Sequence, residues 1–404
     1  MSTGGINIDR RQSNQAEIAL LVLGFRPFFL LAASFAVVQV GIWLGFYVGR
    51  SNLATYYSGT LWHGHEMIFG YTTAVIAGFL LTAVPNWTGL STPQGKPLAA
   101  LATLWVAGRV LPFFPESSPH WFIAVVDIAF LPVLTGLLAI PVMQARQRRN
   151  FIFLLLLGTL AIANVVIHLE ILGAISGAAT TAIYLAINLI VVLIAIMGGR
   201  VIPFFAERAL PGFSAKRWPA VEAVAFAGLI LLTAAQLVYP DPMLIGMLGT
   251  LTFLSHALRL SGWYTHRIWK VPILWILYLG YGWLVLGFAL TALAMLGAVS
   301  SLLALHAFTV GGIGVLTFGM MARVALGHTG RAMKAANPLV MAFVLLNLAA
   351  VTRVLLPIAF PTWHIYAISA SGLLWMLAFS IFTYLYAPIL WSPRADVQQQ
   401  EGIR

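Results

Sequence analysis

Cysteine is absent from this chain of 404 residues. Disulfides, thiolate metal sites and iron–sulfur clusters are therefore excluded, and any bound metal must take its ligands from histidine, methionine, carboxylate or backbone groups. Charged side chains are also scarce: they make up 8% of the residues, whereas soluble domains carry about 25%. The chain is 61% hydrophobic, which excludes an ordinary soluble domain and predicts a protein embedded in a lipid bilayer.

Long apolar runs follow one another along the chain, and each has roughly the 20 residues that a transmembrane helix needs. They are too long for the strands of about 10 residues that form a transmembrane β-barrel. We predict an all-α integral membrane protein of about twelve spans, with a membrane domain at 20–390 between cytoplasmic tails at 1–19 and 391–404. The predicted spans are residues 20–48, 60–84, 98–114, 121–144, 151–172, 178–202, 220–239, 243–263, 273–295, 301–323, 336–358 and 363–390.

Basic residues favour one orientation of these spans. If the N-terminus is cytoplasmic, 19 of the 22 lysine and arginine residues fall on the inner side, and only Arg50, Arg109 and Arg353 lie at outer ends. Cytoplasmic loops carry such an excess of positive charge, so we expect both termini in the cytoplasm. The net charge of +11 reflects these short loops and does not indicate a nucleic-acid partner.

Residues 62–67, Trp-His-Gly-His-Glu-Met, place two imidazoles and a carboxylate inside the second apolar run. Ionisable groups at membrane depth are rare and are functional candidates by default. A helix turns about 100° per residue, so His63 and His65 are expected on opposite faces. The second span therefore offers ligands to two different neighbours.

The predicted orientation places several ionisable side chains at one level in the outer half of the membrane. This layer contains His63, His65, His168 and His306, together with Glu66 and Glu170. Deeper in the membrane lies His256, and the inner helix ends carry Arg200, Arg323 and His328.

An internal repeat relates the second span to the tenth. With His65 laid on His306, a constant offset of 241 residues also matches Gly70 with Gly311, Gly78 with Gly319, Thr88 with Thr329 and Gly89 with Gly330. A weaker third copy, without the histidine, lies in the sixth span. This period of four helices resembles the haem–copper oxidase subunit, whose twelve helices form three four-helix arcs. The copper-binding histidines expected on helices six and seven of that family are missing here.

Five motifs together resemble the NnrS family of bacterial inner-membrane proteins. They are GFRPFF at 24–29, WHGHEM at 62–67, GFLLTAVPNWTG at 78–89, GGRVIPFF at 198–205 and LGHTGR at 326–331. The resemblance extends over nearly the whole chain. It implies a protein of the bacterial inner membrane that contains haem b and copper and takes part in nitric oxide metabolism and protection from nitrosative stress.

Under that resemblance, His65 and His306 are the first candidates for axial haem ligands. Imidazole is a common haem ligand, and Gly70, Gly311 and Gly312 would let a flat ring lie close to the backbone. Alternatively, the two histidines are hydrogen-bonded across a helix interface and the glycines serve tight packing.

The other histidines suggest further cofactor sites. His63 and His168, with Glu66 or Glu170 nearby, are candidates for holding copper or a second haem; alternatively, His63 only neutralises Glu66 as an i,i+3 pair. His256 either binds a deeper cofactor or is a core histidine satisfied by a neighbouring span. His168 and Glu170 are expected to face apart.

Charged residues at the two membrane faces complete the prediction. Propionates of a haem need cationic partners, and the inner candidates are Arg200, Arg323 and His328, unless these reflect only the charge bias of cytoplasmic loops. The outer candidates are Arg109 and Arg353. Glu66 and Glu170 are candidate proton relays with a catalytic role, and Asp127, buried in the fourth span, is a further candidate for a proton path.

Three functions remain open at this point. The first is a haem and copper protein that protects the cell from nitric oxide, with possible reduction of this ligand to nitrous oxide by an unidentified electron donor. Nitric oxide is small and apolar and can reach the site through lipid. The second is a twelve-span transporter without redox cofactors, and the third is a haem-based sensor or assembly factor.

Overall fold

The computed structural model describes residues 19–52 and 55–396. Within them the chain is helical and contains no strand, which confirms the predicted all-α fold. The predicted N-terminal tail falls outside the described residues except for Ala19, and so does the C-terminal tail beyond Asp396.

Twelve main helices follow one another in the order predicted. Loops or short turns of 3₁₀-helix connect them. The helices are α1 Phe25–Tyr47, α2 Gly59–Thr88, α3 Lys96–Val110, α4 His120–Gln144, α5 Phe151–Ile171, α6 Ala179–Ala209, α7 Pro219–Val238, α8 Pro242–Gly262, α9 Pro272–Met295, α10 Ser301–His328, α11 Asn337–Val354 and α12 His364–Trp391.

Eleven of these helices are long and apolar enough to cross a membrane. The exception is α3, whose 15 residues reach about 22 Å at 1.5 Å per residue, less than the roughly 30 Å of a bilayer core. The sixth span also differs from its prediction, because α6 continues past residue 202 to Ala209 and contains Pro203. The result is a multi-pass membrane protein in which eleven of the twelve helices described have the length and composition of membrane spans.

The repeat predicted from the sequence is visible in the backbone. In α2 a π-helical segment, Glu66–Thr72, begins directly after His65. In α10 a π-helical segment, Ala307–Val315, begins directly after His306. The helices that follow, α3 and α11, begin at Lys96 and Asn337, again 241 residues apart. Because π-segments are rare and often mark functional sites, their matched position supports a common origin of the two helix groups.

The helix that carries the polar motif is the most enclosed of the spans. Of the most apolar 18 residues of α2, 83% are buried, compared with 28% in α7. Helix α1 packs against α2 and α12, and α4 packs against α3 and α5. The polar residues of α2 are therefore surrounded by protein, and they need partners within it.

Close packing between α9 and α10 yields a stability prediction. A Cβ added to Gly280 would lie 2.7–2.8 Å from Leu316 backbone and Cβ atoms, whereas one added to Gly136 of α4 would meet nothing within 4 Å. We expect Gly280→Ala to destabilise the protein by roughly 1–3 kcal/mol through overpacking. Gly136→Ala should leave stability unchanged or raise it by up to about 1 kcal/mol. Thermal unfolding in detergent measures the stability of both variants. Equal melting temperatures for the two would contradict the close packing of α9 against α10.

Candidate metal centre

Three buried side chains from three helices converge at the end of the bundle that carries the α1–α2 loop. They are His65 of α2, Asp127 of α4 and His168 of α5, with exposed fractions of 0%, 3% and 1%. Asp127 Oδ2 lies 3.5 Å from His65 Nε2 and 3.7 Å from His168 Nε2. One potential ligand atom from each residue lies within 4.8 Å of the others, so this group has the geometry to hold a metal ion. We call it the His65 centre.

The outer nitrogen of each imidazole is held by a neighbour. His65 Nδ1 lies 3.0 Å from Glu66 Oε1, and His168 Nδ1 lies 3.2 Å from the Tyr56 hydroxyl. Both Nε2 atoms then face Asp127. Metal-binding histidines commonly have their second nitrogen fixed in this way by a carboxylate or another polar group.

Tyr57, just before α2, contributes a hydroxyl to the centre. It donates a hydrogen bond of 2.7 Å to Asp127 Oδ2 and lies 3.3 Å from His65 Nε2 and 3.5 Å from His168 Nε2. Burial, followed by the negative charge of Asp127, raises the pKa of Tyr57 well above its ordinary value. The hydroxyl is therefore protonated at neutral pH when no cation is bound.

Arg109 of α3 joins the two carboxylates of the site. Its Nη1 donates to Glu66 Oε2 and its Nη2 to Asp127 Oδ1, each at 2.7 Å. Two carboxylates and one guanidinium leave a single negative charge among buried groups when both histidines are neutral. A buried charge without a counter-charge costs several kcal/mol, so the site favours a bound cation.

Asn164 lies one helical turn before His168 on α5 and contacts both His65 and Asp127. Its Oδ1 is 2.9 Å from His65 Nε2, and its Nδ2 is 3.4 Å from Asp127 Oδ1. A metal bound at His65 Nε2 would replace the hydrogen bond between this nitrogen and the Asn164 amide.

The predicted separation of His63 and His65 onto opposite faces agrees with the structure, but the predicted pairing does not. His63 stacks on Trp43 of α1, with ring centroids 4.3 Å apart, whereas His168 lies beside His65. His168 was expected to pair with His63. The sequence indicates that the faces are opposite but not which neighbouring helix packs on each face.

His306 belongs to a second group, with His63 and Arg353. Its Nδ1–H donates to the Leu302 carbonyl at 2.7 Å, and Arg353 Nη2 donates to its Nε2 at 3.0 Å. His63 is close enough to interact with it electrostatically. Among the described residues, His63 Nδ1 is buried without a hydrogen-bond partner.

The packing beside the predicted haem ligands does not fit a macrocycle. A Cβ on Gly70 would lie 2.6 Å from Phe35, and Cβ atoms on Gly311 and Gly312 would lie 2.5 Å from Trp283 and 2.1 Å from Leu284. Side chains thus fill the spaces that these glycines were expected to leave for a flat ring. Tight helix packing, the alternative considered from the sequence, accounts for the glycines.

The two glutamates of the predicted proton relay are placed differently. Glu66 contacts the centre through His65 and Arg109. Glu170 instead accepts hydrogen bonds from the backbone N–H groups of Ala178 and Ala179, at 2.5 and 2.8 Å, where α6 begins. It faces away from His168, as predicted, and acts as a cap for that helix terminus.

His256 has partners at both ring nitrogens. Its Nδ1 lies 2.7 Å from the Tyr281 hydroxyl and its Nε2 lies 3.3 Å from the Ala225 carbonyl. Tyr281 in turn accepts a hydrogen bond from Arg259, which is paired with Glu222. These contacts favour the core histidine among the two roles considered from the sequence.

The three inner candidates for haem propionates make separate aromatic contacts. Arg323 lies over the Phe205 ring at 3.5 Å, Arg200 lies over Phe153 at 5.6 Å, and His328 lies 5.8 Å from the ring of Phe25. A shared role for them stays a prediction.

Sequence reasoning did not assign Tyr56, Tyr57 or Asn164 to the site. Asn164 had a recognisable signal, because it precedes His168 by four residues in an apolar helix and so shares its face. The tyrosines had none, since they lie in a loop where aromatic residues usually anchor helices at the membrane interface.

Comparison with known proteins identifies a family for nearly the whole chain. The family model described as NnrS protein matches residues 19–394. No curated protein matches the chain.

Arg109 provides a test of the site electrostatics. We expect Arg109→Gln to destabilise the protein by about 3–5 kcal/mol, because two buried carboxylates lose their shared partner. Arg217→Gln, which removes an exposed contact of 3.8 Å to Glu207, should cost at most about 1 kcal/mol. Melting temperatures of the purified variants measure the difference.

A double variant shows whether charge is the cause. Glu66→Gln added to Arg109→Gln removes one of the two stranded carboxylates and should recover part of the lost stability. No recovery would mean that Arg109 acts through packing alone.

Proposed function

This chain belongs to the NnrS family, and we propose from that premise that it acts in the cellular response to nitric oxide at a metal ion held by the His65 centre. The convergence of His65, Asp127 and His168 carries the proposal. These residues come from three helices, and each directs one ligand atom toward the same point.

The spacing of the donors supports a metal of ordinary bond length. Two donors at about 2.0–2.1 Å from an ion are about 3.3–3.4 Å apart in a tetrahedral site and about 2.8–3.0 Å apart at neighbouring corners of a square-planar or tetragonal site. The separations from Asp127 Oδ2 to the two imidazole nitrogens are 3.5 and 3.7 Å. Small side-chain movements would therefore complete the coordination.

Copper is the metal that we propose for the centre. Imidazole donors suit copper, and its divalent ion binds nitrogen and oxygen ligands more tightly than the other first-row divalent ions. The residual negative charge of the buried groups adds to the attraction. Bound copper would supply a redox centre able to exchange single electrons with nitric oxide.

The surrounding residues prepare this donor set. Glu66 and Tyr56 hold the outer nitrogens of the two imidazoles and so leave both Nε2 atoms directed inward. Arg109 binds Asp127 Oδ1 and leaves Oδ2 for the metal. Support of this kind fixes ligand orientation, and its loss typically weakens metal binding by roughly 10–100-fold.

The reaction that we propose is reduction. Two molecules of nitric oxide, two electrons and two protons give one nitrous oxide and one water. Nitric oxide reaches the buried site through lipid, and Glu66, in contact with His65, is the candidate to pass protons. Glu170 is not proposed for this role because it caps α6. The electron donor is unidentified, and haem b stays a prediction from the resemblance.

The charge bias of the loops supports cytoplasmic termini, and the family resemblance supports a location in a bacterial inner membrane. In that orientation the His65 centre lies near the outer face. Nitric oxide can then reach the centre through the bilayer that surrounds the protein.

Copper analysis of the purified protein tests the assignment. We expect one copper ion at the centre per chain, and we expect His65→Ala and His168→Ala each to lose it because both imidazoles are donors. The copper ion should be retained in two control variants, His63→Ala and His256→Ala, because both histidines lie outside the centre. Size-exclusion profiles verify folding, and the optical spectrum of the same samples tests for haem.

Two results would overturn the assignment: absence of copper from the copper-supplied wild-type protein, or full copper occupancy after both centre histidines are replaced together.

Turnover is tested separately with an electrode that records nitric oxide. Membranes that contain the wild-type protein and are supplied with an electron donor should consume nitric oxide and release nitrous oxide. Membranes with His168→Ala should consume nitric oxide no faster than membranes that lack the protein. Copper binding without consumption would retain the metal centre and reject the reduction.

A further inference from the structure

The His65 centre has three assigned donors and a fourth group that lies among them. Tyr57 Oη is 2.7 Å from Asp127 Oδ2, 3.3 Å from His65 Nε2 and 3.5 Å from His168 Nε2. We propose that Tyr57 is the fourth ligand of the metal and binds it as phenolate, with its hydroxyl proton released to solvent as the metal binds. This inference rests on the proposed function, since it needs a metal at the centre.

The four donor atoms lie close together. Tyr57 Oη is 2.7–3.5 Å from the other three donors, and Asp127 Oδ2 is 3.5 and 3.7 Å from the two imidazole nitrogens. Small side-chain movements would bring all four donors to bonding distance of one ion, and Cu(II) favours a square-planar or tetragonal arrangement of nitrogen and oxygen donors. Three donors alone would leave one side of the ion facing the Tyr57 hydroxyl.

Tyr57 is held in this position by its packing. Its side chain is 2% exposed, and its ring stacks on that of His65 with centroids 4.5 Å apart. It stands two residues before Gly59, where α2 begins. The hydroxyl is therefore directed to the centre before any metal arrives.

The negative charge of a Tyr57 phenolate affects which metal ions the centre prefers. Glu66, Asp127 and Arg109 together leave one negative charge, and a phenolate raises this to two. A divalent ion then makes the buried site neutral, whereas a monovalent ion leaves an uncompensated negative charge that is unfavourable in a protein interior. The fourth ligand thus favours Cu(II) over Cu(I) and disfavours binding of monovalent ions in general.

Visible absorption and resonance Raman spectra of the full chain test the ligand directly. Cu(II) is added to metal-free samples of the wild-type protein, of Tyr57→Phe and of a matched control, Tyr71→Phe. Tyr71 is a buried tyrosine of α2 whose hydroxyl is hydrogen-bonded to Thr317. We expect a phenolate-to-Cu(II) charge-transfer band and phenolate vibrations in the wild-type protein and the control, and neither in Tyr57→Phe. Wild-type protein grown with ring-deuterated tyrosine should show shifted vibrations, which identifies a tyrosine ligand without any substitution.

Affinity provides the second measurement. Tyr57→Phe should still bind one Cu(II) through the three remaining donors, with affinity reduced at least roughly tenfold, by comparison with the loss of supporting groups around metal ligands. Its affinity for Cu(I) should change less. The ratio of Cu(II) to Cu(I) affinity therefore falls in Tyr57→Phe and not in Tyr71→Phe.

The outcomes separate the two proposals. Copper bound at His65 and His168 without phenolate signals, or with signals that survive in Tyr57→Phe, overturns the ligand and keeps the centre. Signals lost in Tyr56→Phe but not in Tyr57→Phe overturn it equally. Failure of the wild-type protein to bind Cu(II) overturns the centre itself.

Discussion

The ion pairs of Arg109 with Glu66 and Asp127 determine the arrangement of the site. These 2.7 Å contacts connect α2, α3 and α4 through groups shielded from water. In such surroundings charges must be paired, so the short helix α3 is held where its guanidinium reaches both carboxylates. Asp127 is thereby oriented toward His65 and His168, and the excess of one negative charge gives the centre its attraction for cations.

The two copies of the repeated architecture differ in the groups that surround their histidines. Both α2 and α10 carry a histidine followed directly by a π-helical segment. His65 lies beside a glutamate and an arginine that bridges two carboxylates, whereas His306 lies beside Arg353 and His63. The first copy collects anionic groups that suit a metal. The second pairs a histidine directly with a cation, and this is a poor setting for a second positive charge.

Much of the fold was predictable because hydrophobic runs of membrane length leave few alternatives to helices. The common level of His65 and His168 was also predictable, from helix direction and loop charge. Their partnership was not, since it depends on which helix packs on each face of α2. Tyr57 was not predictable because a loop tyrosine has no periodic pattern. The contact of Glu170 with the start of α6 was not predictable either, because only the structure reveals that this helix begins beside it.

X-ray absorption at the copper edge of the purified, copper-loaded chain tests the central claim most directly. A centre built by His65, Asp127 and His168 predicts one copper surrounded only by nitrogen and oxygen donors at about 2.0 Å, with outer-shell scattering from two imidazole rings. Sulfur among the nearest neighbours, a single imidazole, or a haem-like porphyrin environment would contradict it.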